Sequence, residues 1–253
     1  MMMDQSIASR FNLGARLFRK GRRRFLRLSF VAFSGFFLFQ LLTWPRVARL
    51  AKENPTTTAF ISRYEKQVSK GTAKDPLRWR WVPYGSISDE LKLAVLVTED
   101  IDFFDHGGFA TAEIEKAIKE TLEEGKPLRG ASTLTQQLAK NLWLSPSRNP
   151  WRKVKEALLT LQLEYRLEKR RILEIYLNVA EFGPGIYGAE AASRHYFGIS
   201  ASALSPRQSA ELAAALASPS RWHPGGPGKG RERRVQMIEG RVARARGWLS
   251  KSI

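Results

Sequence analysis

Residues 99–109 read EDIDFFDHGGF, which brings four carboxylates (Glu99, Asp100, Asp102 and Asp105) and one imidazole (His106) within eight residues. Metal binding would need a spacing that turns several of these donors toward one point, and neither H-x-x-x-H nor a comparable spacing is present. Adjacent carboxylates beside Phe103 and Phe104 suit a different task. Each disfavours ionisation of the other, and a carboxylate whose pKa is raised in this way is what a general base requires. A charged loop with a solvated histidine has the same composition, so spacing alone leaves both readings open.

A second segment, GASTLTQQLAKN over residues 130–141, sets polar chemistry on a helical pattern. Thr133 and Gln136 have the capping-box spacing that starts a helix. At about 100° per residue, Ser132, Thr133, Gln136, Gln137, Lys140 and Asn141 fill one half of the wheel, and Leu134, Leu138 and Leu142 fill a narrower opposite arc. Hydroxyls and amides around a single lysine suit a face that hydrogen-bonds a polar ligand, although an ordinary surface is the competing reading. A third segment, RNPWRKVKE over residues 148–156, places Arg148, Arg152, Lys153 and Lys155 ahead of one acid, Glu156. Guanidinium forks grip phosphate oxygens in pairs, so this cluster suits a phosphate-bearing substrate. A solvated basic loop is the plain alternative.

Helices have to hold these segments. Ser88 reads as an N-cap, Asp89 and Glu90 suit a first turn, and Leu91, Ala94, Val95 and Thr98 recur at helical intervals. That puts Glu99 and Asp100 at a helix end, with a strand as the other reading of this Val- and Leu-rich run. Val154, Leu158, Leu161 and Tyr165 predict a further helix, and Ile172, Ile175, Tyr176 and Val179 continue the spacing. Residues 191–196 and 211–217 predict two more, the second almost all Ala and Leu and therefore buried. Residues 46–80 read as a connector, 81–224 as the helical region that carries the three segments, and 225–253 as a basic C-terminal segment, either solvated or a helix on anionic lipid.

The chain has 253 residues, 43% of them hydrophobic, no cysteine, and 42 Lys plus Arg against 24 Asp plus Glu, for a formal charge of +18. This composition excludes a disordered tail, a disulfide scaffold and a thiolate metal site. The charge lies at the ends: eight basic residues and one acid in residues 1–27, nine basic and two acidic in 221–253. No nucleic-acid-binding module accompanies it. Residues 28–45 (LSFVAFSGFFLFQLLTWP) carry no charge, and as a helix they extend about 27 Å, enough to cross a bilayer. Phe30, Phe33, Phe36, Phe37 and Phe39 spread round the whole circumference, unlike the single stripe of a surface helix. A cleaved signal peptide would end in a small-x-small site, which Thr43, Trp44, Pro45 and Arg46 do not provide. The basic excess ahead of the span predicts a cytoplasmic tail over 1–27, one transmembrane helix over 28–45, and all later residues on the extracytoplasmic side.

In this order the segments resemble the peptidoglycan glycosyltransferase family, shared with the glycosyltransferase domain of class A penicillin-binding proteins. The pattern E-D-x-x-F-x-x-H-x-G is met by Glu99, Asp100, Phe103, His106 and Gly108. Gly130, Ser132, Thr133, Gln136, Gln137, Lys140 and Asn141 meet G-x-S-T-x-x-Q-Q-x-x-K-N, and Arg152, Lys153 and Glu156 meet R-K-x-x-E. K-x-x-I-L-E-x-Y-L-N is met by Lys169, Ile172, Leu173, Glu174, Tyr176, Leu177 and Asn178. The likeness runs from about Trp81 to Pro224; Ile101, Asp102 and Ala110 depart from residue types frequent in the family, outside the matched positions. About thirty residues follow the motifs, so the expectation is a monofunctional member without a transpeptidase domain.

The resemblance implies a mainly α, lysozyme-like domain with a smaller membrane-proximal lobe, preceded by the transmembrane helix. It implies polymerisation of lipid II into glycan strands, with inversion at the anomeric carbon and release of undecaprenyl pyrophosphate. Glu99 is then the general base, with Asp100 tuning it and His106 alongside. Glu156 is a second essential carboxylate that either positions cations or holds a metal. Lys140, Arg148 and Arg152 stabilise the departing pyrophosphate, while Ser132, Thr133, Gln136, Gln137 and Asn141 bind and orient substrate. No cofactor is obligatory, and a divalent cation (Mg or Mn) at the pyrophosphate is left open. The implied partners are lipid II, the growing strand and the membrane, with cell-wall synthesis or division proteins as candidates and no nucleic acid. The implied location is the bacterial inner membrane, single-pass, with the catalytic domain periplasmic. A wall-cleaving hydrolase is the rival enzyme, but it needs a proton donor and has no use for cations round a leaving group. A non-enzymatic anchor would leave Glu99 replaceable.

Overall fold

The computed structural model describes residues 27–31, 33–110, 123, 132–146, 149–226 and 230–253. The chain divides into two compact units, Met1–Arg46 and Val47–Ile253. In the first, residues 27–31 and 33–42 are helical, and Leu28, Phe30, Phe33, Phe39 and Leu42 all stand exposed. Thr43 Oγ1 donates to Phe39 O (2.7 Å) where this helix ends, just before Pro45. Among the described residues it is the one helix long and apolar enough to cross a membrane, and it occupies the uncharged run.

The second unit is mostly helical. Its elements are α1 (Ala59–Ser69), β1 (Arg78–Trp79), α2 (Asp89–Glu99), α3 (Leu134–Trp143), α4 (Pro150–Arg166), α5 (Lys169–Val179), β2 (Glu181–Gly183), β3 (Ile186–Tyr187), α6 (Ala189–Phe197), α7 (Pro206–Leu216), α8 (Pro219–Trp222) and α9 (Arg231–Leu249). Ser88 starts α2 as expected, its side chain accepting from Leu91 N (3.2 Å), and the helix runs to Glu99. Every residue from Leu91 to Val97 is buried, because α7 and α9 cover α2. Alanines at 210, 213, 214 and 215 keep α7 thin, which lets the two backbones approach. On the other side of the site, α3 packs against α4 and α5.

The three short strands form one sheet in the order β1-β3-β2, β1 parallel and β2 antiparallel to β3. Asn178, at the end of α5, ties this sheet to the residues before α2. Its side chain exchanges hydrogen bonds with Val82 N and Val82 O (both 2.9 Å), and its carbonyl accepts from Trp79 Nε1 (2.8 Å). Gly188 then turns the chain at φ +86, with Asn178 O only 2.6 Å from where a Cβ would sit, so glycine alone fits. Most of the stretch read from sequence as a connector (46–80) belongs to this unit from Val47 on, and Ile61 and Tyr64 of α1 pack against Tyr187.

Two helices bury faces that the sequence reading left unassigned. The basic C-terminal segment keeps a solvated charged face, with Arg233, Arg241 and Arg244 exposed, but Val235, Ile238, Val242, Ala245 and Leu249 recur at helical intervals and bury its other face on α2 and α7. Arg246 pins the helix with a fork onto Glu90 (2.6 and 2.7 Å). In α4 the stripe Val154, Leu158, Leu161 and Tyr165 is exposed, whereas Glu156, Leu159, Thr160 and Leu163 face inward. The spacing marks a helix; it does not say which face is buried.

Candidate active site

Glu99 ends α2, where the chain leaves the helix. Its Oε2 accepts from Gln137 Nε2 of α3 (2.9 Å), and the residue lines a cavity of about 560 Å³. Asp100 is buried, and both its oxygens are engaged: Oδ1 lies 2.8 Å from His106 Nε2, and Oδ2 accepts from Leu134 N (2.9 Å) at the first turn of α3. Gly108 N donates to His106 Nδ1 (3.0 Å), so the imidazole proton sits on Nε2 and points to Asp100. The hydrogen bond to Asp100 raises the imidazole pKa against the opposing effect of burial. Gly108 sits at φ +90 with Thr160 and Glu164 of α4 within 2.9 Å of the place a Cβ would take. The acidic segment is therefore a tight loop clamped between α3 and α4.

The start of α3 completes the clamp. Thr133 and Gln136 form the expected capping box, and Thr133 Oγ1 also donates to Gly108 O (2.7 Å). Their polar atoms are thus used in positioning α3, not presented to a ligand, and Ser132 is exposed just ahead of the helix. One and two turns on, Gln137, Lys140 and Asn141 line a second cavity of about 200 Å³ together with Tyr176, Glu181 and Tyr187. Burial lowers the Lys140 pKa; Glu156 and Glu99 favour its charge, while Arg152 and Lys153 oppose it.

Glu156 is buried on α4, where Arg152 Nη1 donates to its Oε2 (2.9 Å) and Lys153 Nζ to its other oxygen. Asn149 caps the helix, its side chain accepting from Trp151 N, with Pro150 in the first turn. Arg148 and Gly130, both picked out from the sequence, lie outside the described residues.

Comparison with known proteins decides what this site belongs to. Residues 65–242 match the family described as Transglycosylase. The chain is 42% identical over 224 residues to a protein of Nitrosospira multiformis named biosynthetic peptidoglycan transglycosylase, covering 88% of this chain and 97% of that one. Proteins of the same name from Alcanivorax borkumensis (46% over 229 residues; 90% and 89% covered) and Laribacter hongkongensis (46% over 184; 73% and 81%) are similar to it as well. The chain belongs to the transglycosylase family.

In this transglycosylase the geometry also brings in residues the sequence did not single out for a role. Tyr176 is fully buried, and its hydroxyl donates to Gln137 Oε1 (3.1 Å), which fixes the amide so that Nε2 faces Glu99. Burial, followed by the charges of Glu99 and Asp100, pushes the Tyr176 pKa well up, so it stays a donor. Lys169 bridges Glu164 (2.8 Å) and the His106 carbonyl (2.5 Å), joining α4 to the acidic loop. Both belong to the K-x-x-I-L-E-x-Y-L-N pattern, whose spacing marks them but whose contacts only the fold supplies. Arg234 of α9 is the third: burial lowers its pKa and the charge of Glu99 raises it, while its guanidinium lies over the Trp222 ring (5.0 Å to the centroid).

Proposed function

We propose that this protein polymerises lipid II into glycan strands, with Glu99 as the base that activates the acceptor sugar's 4-hydroxyl. What carries the reading is Glu99 itself: it lines an open cavity, holds one hydrogen bond from Gln137, and has Lys140 one helical turn further along α3. The hydroxyl proton passes to the Glu99 carboxylate as the oxygen bonds to the donor's anomeric carbon with inversion. The bond from that carbon to the pyrophosphate oxygen breaks, and undecaprenyl pyrophosphate departs with the electron pair. Lys140 and Arg152 stabilise the charge that develops there, acting as fixed donors that need no reorganisation. The sequence pattern adds Arg148, outside the described residues, as a candidate further cation. Gln137 and Asn141 orient the sugars.

Glu156 positions the cations. Both of its oxygens already accept from Arg152 and Lys153, and no cluster of three or more His, Asp or Glu forms among the described residues. With both Glu156 oxygens taken by Arg152 and Lys153, no step is assigned to a divalent cation.

The apolar N-terminal helix anchors the enzyme in the bacterial inner membrane with residues 47–253 on the periplasmic side, a reading supported by the basic excess in residues 1–27. Because both substrates are lipid-linked, confinement to one surface raises their effective concentration at the cleft. Purified protein incubated with labelled lipid II should yield polymer sensitive to a muramidase. No polymer, or cleavage of preformed glycan instead, would overturn the assignment.

A further inference from the structure

We infer that the cavity between α2 and α9 receives the acceptor substrate, with Arg241 and Arg244 holding one of its anionic groups and Trp248 covering its sugar. The inference rests on the proposed glycan polymerisation and deepens it. Glu99 lines this cavity with Thr98, Asp100 and Ile101 on one wall, and Arg241, Arg244 and Trp248 on the other. The cavity with Lys140 and Asn141 shares none of these residues, and the two meet where Gln137 bonds Glu99. A base between two separate cavities suits a reaction that joins two substrates.

Arg241 and Arg244 are the arginines of α9 that line this cavity, and their charge is not consumed by an ion pair among the described residues. On the same helix Arg246 forks onto Glu90, while Glu232 and Glu239 are bound by Arg207. Arg241 makes one long hydrogen bond to Val97 O (3.4 Å), and Arg244 has no ion pair among the described residues. Asp100, the other acid in the cavity, has both oxygens engaged by His106 and Leu134 N. Two cations three residues apart, one turn from an exposed indole, suit an anion attached to a sugar ring. In lipid II that anion is either a stem-peptide carboxylate or the pyrophosphate.

The test is initial polymerisation rate against lipid II concentration for wild type, Arg244→Ala, Arg244→Lys and Trp248→Ala, with Arg233→Ala, an exposed arginine of the same helix, as control. The buried face of α9 is untouched in all of them, and circular dichroism should show it. Arg244→Ala and Trp248→Ala should raise KM roughly tenfold with kcat little changed, Arg244→Lys should restore most of the loss, and Arg233→Ala should match wild type. A second arm uses lipid II with amidated stem-peptide carboxylates. If Arg244→Ala then has no further effect, the anion is the carboxylate; if the tenfold gap persists, it is the pyrophosphate. Polymerisation by Arg244→Ala and Trp248→Ala with the wild-type KM would overturn the inference while leaving the polymerase reading intact; a wild type that makes no polymer would remove both.

Discussion

Two glutamates stand in this site, and their surroundings are opposites. Glu99 lies at the last turn of a buried helix, faces an open cavity and accepts one amide hydrogen bond. Glu156 lies within a helix, is 3% exposed, and is bound by a guanidinium and an ammonium. A carboxylate that must take up a proton needs a free oxygen facing substrate, whereas one that neutralises two cations has no oxygen to spare. That contrast supports the proposed division, chemistry at the first and positioning at the second.

The largest expected effect is at Glu99. Glu99→Gln keeps the shape and the neighbourhood of Gln137 but removes the proton acceptor, so polymerisation should fall by roughly 10²–10⁴ while the thermal midpoint stays near wild type. Polymer made at more than about a tenth of the wild-type rate would leave Glu99 without the role of base. Next comes Lys140→Ala, where the loss of one preorganised cation should lower kcat by roughly 10²–10³. Because burial lowers the Lys140 pKa, its charge is lost at lower pH than an ordinary lysine's. Wild-type activity should then fall on the alkaline side below the usual lysine range, and Lys140→Arg should move that limb upward. An unmoved limb would take Lys140 out of the titration.

Glu156→Gln tests the other half of the comparison. It leaves Arg152 and Lys153 without their shared anion in a mostly buried setting, so the thermal midpoint should drop by the equivalent of about 2–3 kcal/mol; the half-exposed Lys153 is why the figure is not larger. Activity should fall as well, through misplaced cations, and kcat should suffer more than the fold. Unchanged stability together with lost activity would mean that Glu156 acts on substrate directly.

The parts of this arrangement that sequence makes legible are those written in local chemistry. Ser88 and the Thr133–Gln136 box announce two helix starts, so residue order alone places both Glu99 and the Lys140 face on helices. Long-range closure is not legible in the same way. Thr133 and Gln136 belong to a polar face by wheel, yet that face is folded inward, and the two residues cap the helix while Gln137, Lys140 and Asn141 reach the cavity. The charge of α9 hides a five-residue apolar stripe, and the visible stripe of α4 turns out to face outward. Periodicity reports a helix; only the partner helices decide which side is covered.

The smallest effect concerns the contact that holds the Glu99 loop in place, the His106–Asp100 pair. Its imidazole pKa is raised, mainly by the hydrogen bond to Asp100, so the folded state holds the proton more tightly than the unfolded chain does. The protonation-linked stability is therefore complete below about pH 6.5, the ordinary imidazole value, and is lost as pH rises through the raised value. Above that range the neutral ring still donates from Nε2 to Asp100, and its unprotonated Nδ1 accepts from Gly108 N, a bond the protonated ring cannot accept. The stability gap between wild type and His106→Gln should accordingly be widest near pH 6 and shrink by pH 8, to a residue of roughly 1 kcal/mol for the bonds of the neutral ring. Thermal melts of both proteins across that range measure it. A gap that widened as pH rose would mean that the neutral imidazole is the form the loop prefers, and that Asp100 is held chiefly by Leu134 N.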